Sequence, residues 1–99
     1  MIPQLINELF EAKELPAARE LAIAYLRNQK DENIMFLLAG IHHEEKNYDK
    51  ALECIEKVTL TEHVLINKAK VLYYLERAPE AEAILRSLPK KWKIMKVIL

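Results

Sequence analysis

The side chains with the most chemistry to offer in this 99-residue chain are three histidines, one cysteine and one serine: His42, His43, His63, Cys54 and Ser87. Zinc needs several donors converging on one point, and donors on a helix meet only at spacings of three or four. His42 and His43 are neighbours, so on a helix they diverge by about 100°. No metal site is expected from them. A hydrolase or transferase needs a nucleophile, a base and an orienting group. Ser87 stands beside a helix end with no histidine near it in sequence, and Cys54 falls on the packed face of its helix. Glu8/Glu11 and Glu44-Glu45 sit at ordinary surface spacing. The expectation is no catalytic residue, no metal and no cofactor: not an enzyme.

Composition points the same way. With one Gly and one Ser, the chain has almost no material for phosphate-cradling or oxyanion loops, which draw on glycine's permissive backbone. Gly40 itself lies inside an apolar helical run. Apolar residues make up 52% of the sequence, yet no uninterrupted apolar stretch approaches the ~20 residues of a membrane span. Met1-Ile2-Pro3-Gln4 carries no basic region before an apolar stretch, so no secretory signal is read. The single Cys54 rules out an internal disulfide and suits a reducing compartment, cytoplasmic or nuclear.

Charge is balanced overall but not along the chain. Residues 1–62 hold seven Lys and Arg against twelve Asp and Glu, and residues 63–99 hold eight against three. A molecule polarised in this way suits docking to charged partners or to another copy.

The elements that must position these side chains read as helices throughout. Leu5, Ile6, Leu9 and Phe10 form an amphipathic stripe over residues 2–13. Pro16 starts a second helix to about Asn28, and Asn28-Gln29-Lys30-Asp31 is a short polar connection. Further helices are expected over 32–46, from Asp49 to about Val58, from the cap Thr61 to about Arg77, and from Pro79 to Ser87. Trp92, Met95 and Leu99 then fall at helical spacing over 90–99. No stretch shows the strict alternation of a strand.

One short phrase recurs. Leu15-Pro16-Ala17-Ala18, Tyr48-Asp49-Lys50-Ala51 and Ala78-Pro79-Glu80-Ala81 each join two helical stretches, their last alanines 33 and 30 residues apart. An apolar pair follows each, at Leu21/Ala22, Cys54/Ile55 and Ile84/Leu85. A period near 33 marks a stack of two-helix units, and such stacks present binding surfaces.

These units resemble tetratricopeptide repeats. Leu38-Ala39 matches the large–small pair of the first helix, Tyr48 the aromatic at the turn, and Ala51 the small residue where helices cross. Ile55 and Val58 match the second-helix packing pair, while His42 stands where the family usually has Tyr. The third repeat keeps Ala69, Ala81, Leu85 and Leu88 but has Lys68 at a large apolar position; the first keeps Ala18 and Ala22. The resemblance implies an all-α, right-handed α-solenoid of three helix pairs (about 2–31, 32–61 and 62–89) plus a C-terminal helix over 90–99, in a single domain. Some family members grip carboxylates with Lys and Asn. Here Asn7 matches one such position, but Pro3, Phe36 and Ile66 stand where a cation is required.

More narrowly, residues 2–89 resemble the N-terminal domain of scaffold subunits of the anaphase-promoting complex, a ubiquitin ligase of the cell cycle. That likeness rests on Ala18-(x)3-Ala22, Phe36-Leu37-Leu38-Ala39, Ala69-Lys70 and Glu82-Ala83-Ile84-Leu85. It implies homodimers in which the N-terminal helices of one copy are clasped in the groove of the other.

Surplus apolar surface is the positive functional signal. Leu21-Ala22-Ile23-Ala24-Tyr25-Leu26 and Val71-Leu72-Tyr73-Tyr74-Leu75 are apolar nearly all round, although a terminal helix should show one wet face. In the repeat register the concave positions include Phe36, Gly40, His43, Ile66, Lys70 and Tyr73. With Leu5, Leu9 and Phe10 of the first helix, Phe36, His43, Ile66, Lys70 and Tyr73 are the expected partner-binding residues. The expected partner is protein: a second copy and other subunits of a larger assembly. A monomeric adaptor holding a partner's helix or peptide in the same groove is the alternative. Lys90, Lys91, Lys93 and Lys96 with Trp92 invite a membrane-surface or nucleic-acid reading. Four lysines are marginal for either, and Trp92, Met95 and Leu99 are read as closing the end of the stack.

Overall fold

The turns that join the helices carry the clearest record of the repeat. A computed structural model describes residues 1–88. Among them it shows α1 (Ile2–Glu11), α2 (Leu15–Leu26), α3 (Glu32–Glu44), α4 (Tyr48–Ile55), α5 (Glu62–Tyr74) and α6 (Ala78–Ser87), and no strand. The all-helical expectation is met over these residues. The helix expected over 90–99, with Trp92, Met95 and Leu99, lies outside them.

Lys13, Lys46 and Glu76 have φ of 63°, 64° and 61°, the left-handed conformation that side chains disfavour. They are spaced by the same 33 and 30 residues as the sequence phrase. Each donates its N–H three residues back, to Phe10, His43 and Tyr73 respectively. The next residue in each turn donates five residues back: Glu14 to Leu9, Asn47 to His42, Arg77 to Leu72. That pair of bonds is a Schellman motif, which satisfies carbonyls left open at a helix end. One turn is thus built three times, without the glycine that usually occupies it.

These motifs also explain why the first helix of each pair stops early. Sequence periodicity carried α1 to about 13, α3 to about 46 and α5 to about 77. The helices end at Glu11, Glu44 and Tyr74 because the left-handed residue and its flanks use the remaining positions. Helix starts differ in kind. Asp31 caps α3, its Oδ1 accepting from the Ile34 N–H at 3.2 Å, and Thr61 caps α5 through Val64 at 3.3 Å. Pro3, Pro16 and Pro79 occupy the first turns of α1, α2 and α6. The fourth helix, expected from Asp49, begins one residue earlier at Tyr48: Asp49 lies in its first turn and the N-cap position belongs to Asn47.

The chain divides into two compact units, Met1–Val58 and Thr59–Leu99. In the first, α1 pairs with α2 and α3 with α4, and α3 also packs on α2 and α1. Its core holds Ile6, Ala18, Ala22, Ile34, Leu38, Ala39, Ile41, Ala51, Leu52, Cys54 and Ile55. Ala18 and Ala51, the repeated alanines, are completely buried. Small residues suit a helix crossing because a larger Cβ substituent would hold the backbones apart. In the second unit α5 packs on α6, and Ala69 and Ala81 are completely buried.

Among the described residues, three side-chain links join the hairpins of the first unit. Lys13, in the first turn, pairs with Glu44 at 2.8 Å. Arg19 on α2 pairs with Glu45 at the end of α3, and both side chains are partly shielded from solvent. Within the second hairpin's approach, Tyr25 donates to Asp31 Oδ2 at 3.3 Å, so one aspartate both caps α3 and holds α2.

Candidate interaction surface

Apolar exposure in the described residues gathers at the start of α1. Met1 is 95% exposed, and Ile2 and Leu5 are each 46% exposed. Ile2 and Leu5 are three residues apart, so they lie on one face of the helix. With Gln4 and Glu8 they line a shallow depression of about 500 Å3. Leu60 and Tyr74 are the other large apolar side chains exposed among the described residues.

A second concavity runs between α1 and α3. Pro3 and Asn7 from α1 meet Asn33, Ile34, Phe36 and Leu37 from α3 around an open groove of about 280 Å3. Every residue lining it is uncharged, so its ligand chemistry is apolar contact with carboxamide hydrogen bonding at the edges. A third hollow of similar size lies between Ile2 of α1 and Leu21, Ala24, Tyr25, Asn28 and Gln29 of α2 and its end.

The expected site residues divide among these places. Leu5 is exposed on the α1 face, and Phe36 lines the α1–α3 groove. Leu9 and Phe10 are half-buried. The Phe10 ring extends towards α3, where its Cζ lies 3.8 Å from the point a Gly40 side chain would occupy. Lys13 sits over the same ring, its Nζ 5.7 Å from the centroid. Phe10 is therefore committed to packing inside the unit as well as to its surface. His43 is half-buried, its ring edge-on to Tyr48 with centroids 5.4 Å apart.

In the second unit Tyr73 donates to Glu82 Oε2 at 2.8 Å, which ties α5 to α6. Lys70 is half-buried. Ile66 is only 5% exposed and belongs to the core, so it has little surface to offer a partner. The apolar surplus of α2 is largely absorbed too: Ala22 is buried, and Leu21, Ile23, Tyr25 and Leu26 are half-buried. Val71 and Leu72 on α5 are likewise buried.

Cys54 and Ser87, the nucleophiles weighed from sequence, are each held by their own element. Cys54 is buried, and that burial pushes its thiol pKa up, away from the nucleophilic thiolate. Ser87 donates its hydroxyl to the Ile84 carbonyl at 2.7 Å within its own helix. Among the described residues no three His, Cys, Asp or Glu side chains are grouped to hold a metal ion. No helix among them is long and apolar enough to cross a membrane.

Sequence spacing missed two features. Phe10, His43 and Tyr73 share one repeat position, 33 and 30 residues apart, so all three hairpins carry a ring there. The left-handed turn residues gave no glycine signal, and only their spacing could have revealed them. Compared with protein-family models, curated proteins and solved structures, the chain finds no match.

Proposed function

We propose that this chain is a protein-binding module that self-associates through the outer face of α1. The exposed stripe of Met1, Ile2 and Leu5 carries this reading. It is an apolar helix face at the edge of a unit whose other apolar side chains are mostly covered. Exposed apolar contiguity of that kind marks an interface more often than a solvent face. The threefold Schellman turn supports a stack of tetratricopeptide-like hairpins, read here as a right-handed solenoid. By the resemblance of its packing residues, the module belongs in a scaffold subunit of the anaphase-promoting-complex type, joining further subunits of a multiprotein assembly.

Light scattering on the purified chain tests the central point. At tens of micromolar the molar mass is expected to be twice that of one chain, and Leu5→Glu is expected to return it to one. A concentration-independent monomer overturns self-association. It would favour the second reading, an adaptor whose α1–α3 groove of Pro3, Asn7, Asn33, Phe36 and Leu37 receives a neutral partner segment.

A further inference from the structure

His42 is the buried polar residue of the core, 5% exposed, and its Nδ1 is enclosed without a hydrogen-bond partner among the described residues. Its repeat-mates, 33 residues before and 30 after, are Leu9 and Leu72. An aliphatic position thus holds an imidazole in the second hairpin. His42 lies in the last turn of α3, and its carbonyl accepts the Asn47 N–H that closes the Schellman turn. Three residues on is Glu45, the carboxylate that Arg19 of α2 holds.

The charged groups around the ring are Glu45 at the end of α3, Lys50 and Glu53 on α4, and Arg19 on α2. From the α1–α2 turn, Lys13 is taken up by Glu44. The carboxylates favour an imidazolium, as does the negative end of the α3 dipole, and the two cations oppose it. Burial outweighs them and pushes the His42 pKa below the ordinary histidine value.

We propose that His42 is an acid-sensitive latch within the first unit: on gaining a proton it competes with Arg19 for Glu45 and loosens the second hairpin from the first. Protonation from solvent gives the ring a positive charge and a second N–H donor in a site without a second acceptor of its own. Glu45 stands three residues on, at the spacing that brings helical side chains together, and turning towards His42 takes it from Arg19. The sign follows from the lowered value. The unfolded chain protonates His42 near pH 6.5 and the folded one below that. Stability is therefore full above about pH 6.5 and falls as pH drops through the interval between the two values. The latch does not depend on whether copies associate.

Urea unfolding of the full chain at pH 7.5, 6.5 and 5.5, beside His42→Leu, provides the test. Over this range carboxylates change little, so histidines dominate the slope. Across the interval below pH 6.5, the wild-type folding constant is expected to fall by up to about tenfold per pH unit more than that of His42→Leu. Equal slopes overturn the proposal. Amide exchange, read as protection relative to the intrinsic rate at each pH, isolates the role of Glu45: acid should lower protection in α2 and α3 of the wild type. In Glu45→Gln, α2 should be poorly protected at both ends of the range, while α3, which still buries His42, should still lose protection in acid. If α2 in Glu45→Gln still loosens on acidification as the wild type does, competition for Glu45 is not the link and the latch fails.

Discussion

The Cζ of Phe10 stands 3.8 Å from where a side chain on Gly40 would begin. That is ordinary van der Waals contact, so a methyl group fits without moving the ring. Gly40 is the chain's only glycine and lies within α3, where glycine costs roughly 1 kcal/mol relative to alanine. Gly40→Ala is therefore expected to stabilise the protein by about 0.5–1 kcal/mol in urea unfolding. Gly40→Leu, which must displace Phe10, is expected to lower the midpoint instead.

Ala51 has no such room. It is completely buried on α4, the helix that packs against α3. Ala51→Leu should cost roughly 1–3 kcal/mol through overpacking. An unchanged melting temperature would show that the repeat register places the wrong residue at the crossing.

Much of this architecture is legible in the sequence because it is written in period and residue size. The alanines 33 and 30 residues apart fixed the hairpins, and Thr61 declared its cap. Periodicity overruns the helix ends because the stop signal at Lys13, Lys46 and Glu76 is conformational and no glycine announces it. The expected interface was less legible. Whether an apolar side chain such as Ile66 or Leu5 meets solvent depends on which neighbours cover it, and periodicity gives the face of a helix but not its coverage. Ile66 is covered and Leu5 is not.

Because the left-handed turn residues carry side chains, each pays a steric penalty of roughly 1–2 kcal/mol that glycine would avoid. Glycine's greater freedom in the unfolded chain returns part of that gain. Lys46→Gly and Glu76→Gly are each expected to stabilise by about 0.5–1 kcal/mol, a rise of several degrees in Tm. A β-branched residue fits this conformation poorly, so Glu76→Val should lower Tm. Lys13 is the less clean site, since its side chain also serves Glu44 and the Phe10 ring.

Two caps should differ in what their loss disturbs. Thr61→Ala removes the bond to the Val64 N–H and should cost about 1 kcal/mol. Asp31→Ala removes the bond to Ile34 and also the acceptor of the Tyr25 hydroxyl. Its effect should exceed that of Thr61→Ala. Asp31→Asn, which retains an acceptor for the cap, should recover most of the helix-start contribution. Equal losses from both alanine variants would mean the Tyr25 contact contributes nothing measurable.

Phe10 and Leu5 separate self-association from folding. Both lie on α1, but the Phe10 ring packs towards Gly40 beneath Lys13, whereas Leu5 is half open to solvent and lines the shallow depression with Ile2. A charge at position 10 must enter a contact inside the unit, so Phe10→Glu should lower Tm even in dilute monomer. A charge at position 5 stays in water in the monomer and is buried only if a second copy covers α1. Leu5→Glu should thus leave dilute-solution Tm near that of the wild type while abolishing the rise of Tm with protein concentration. Sedimentation across a hundredfold concentration range reads both variants together. If Leu5→Glu associates as the wild type does, α1 is not the face that copies share.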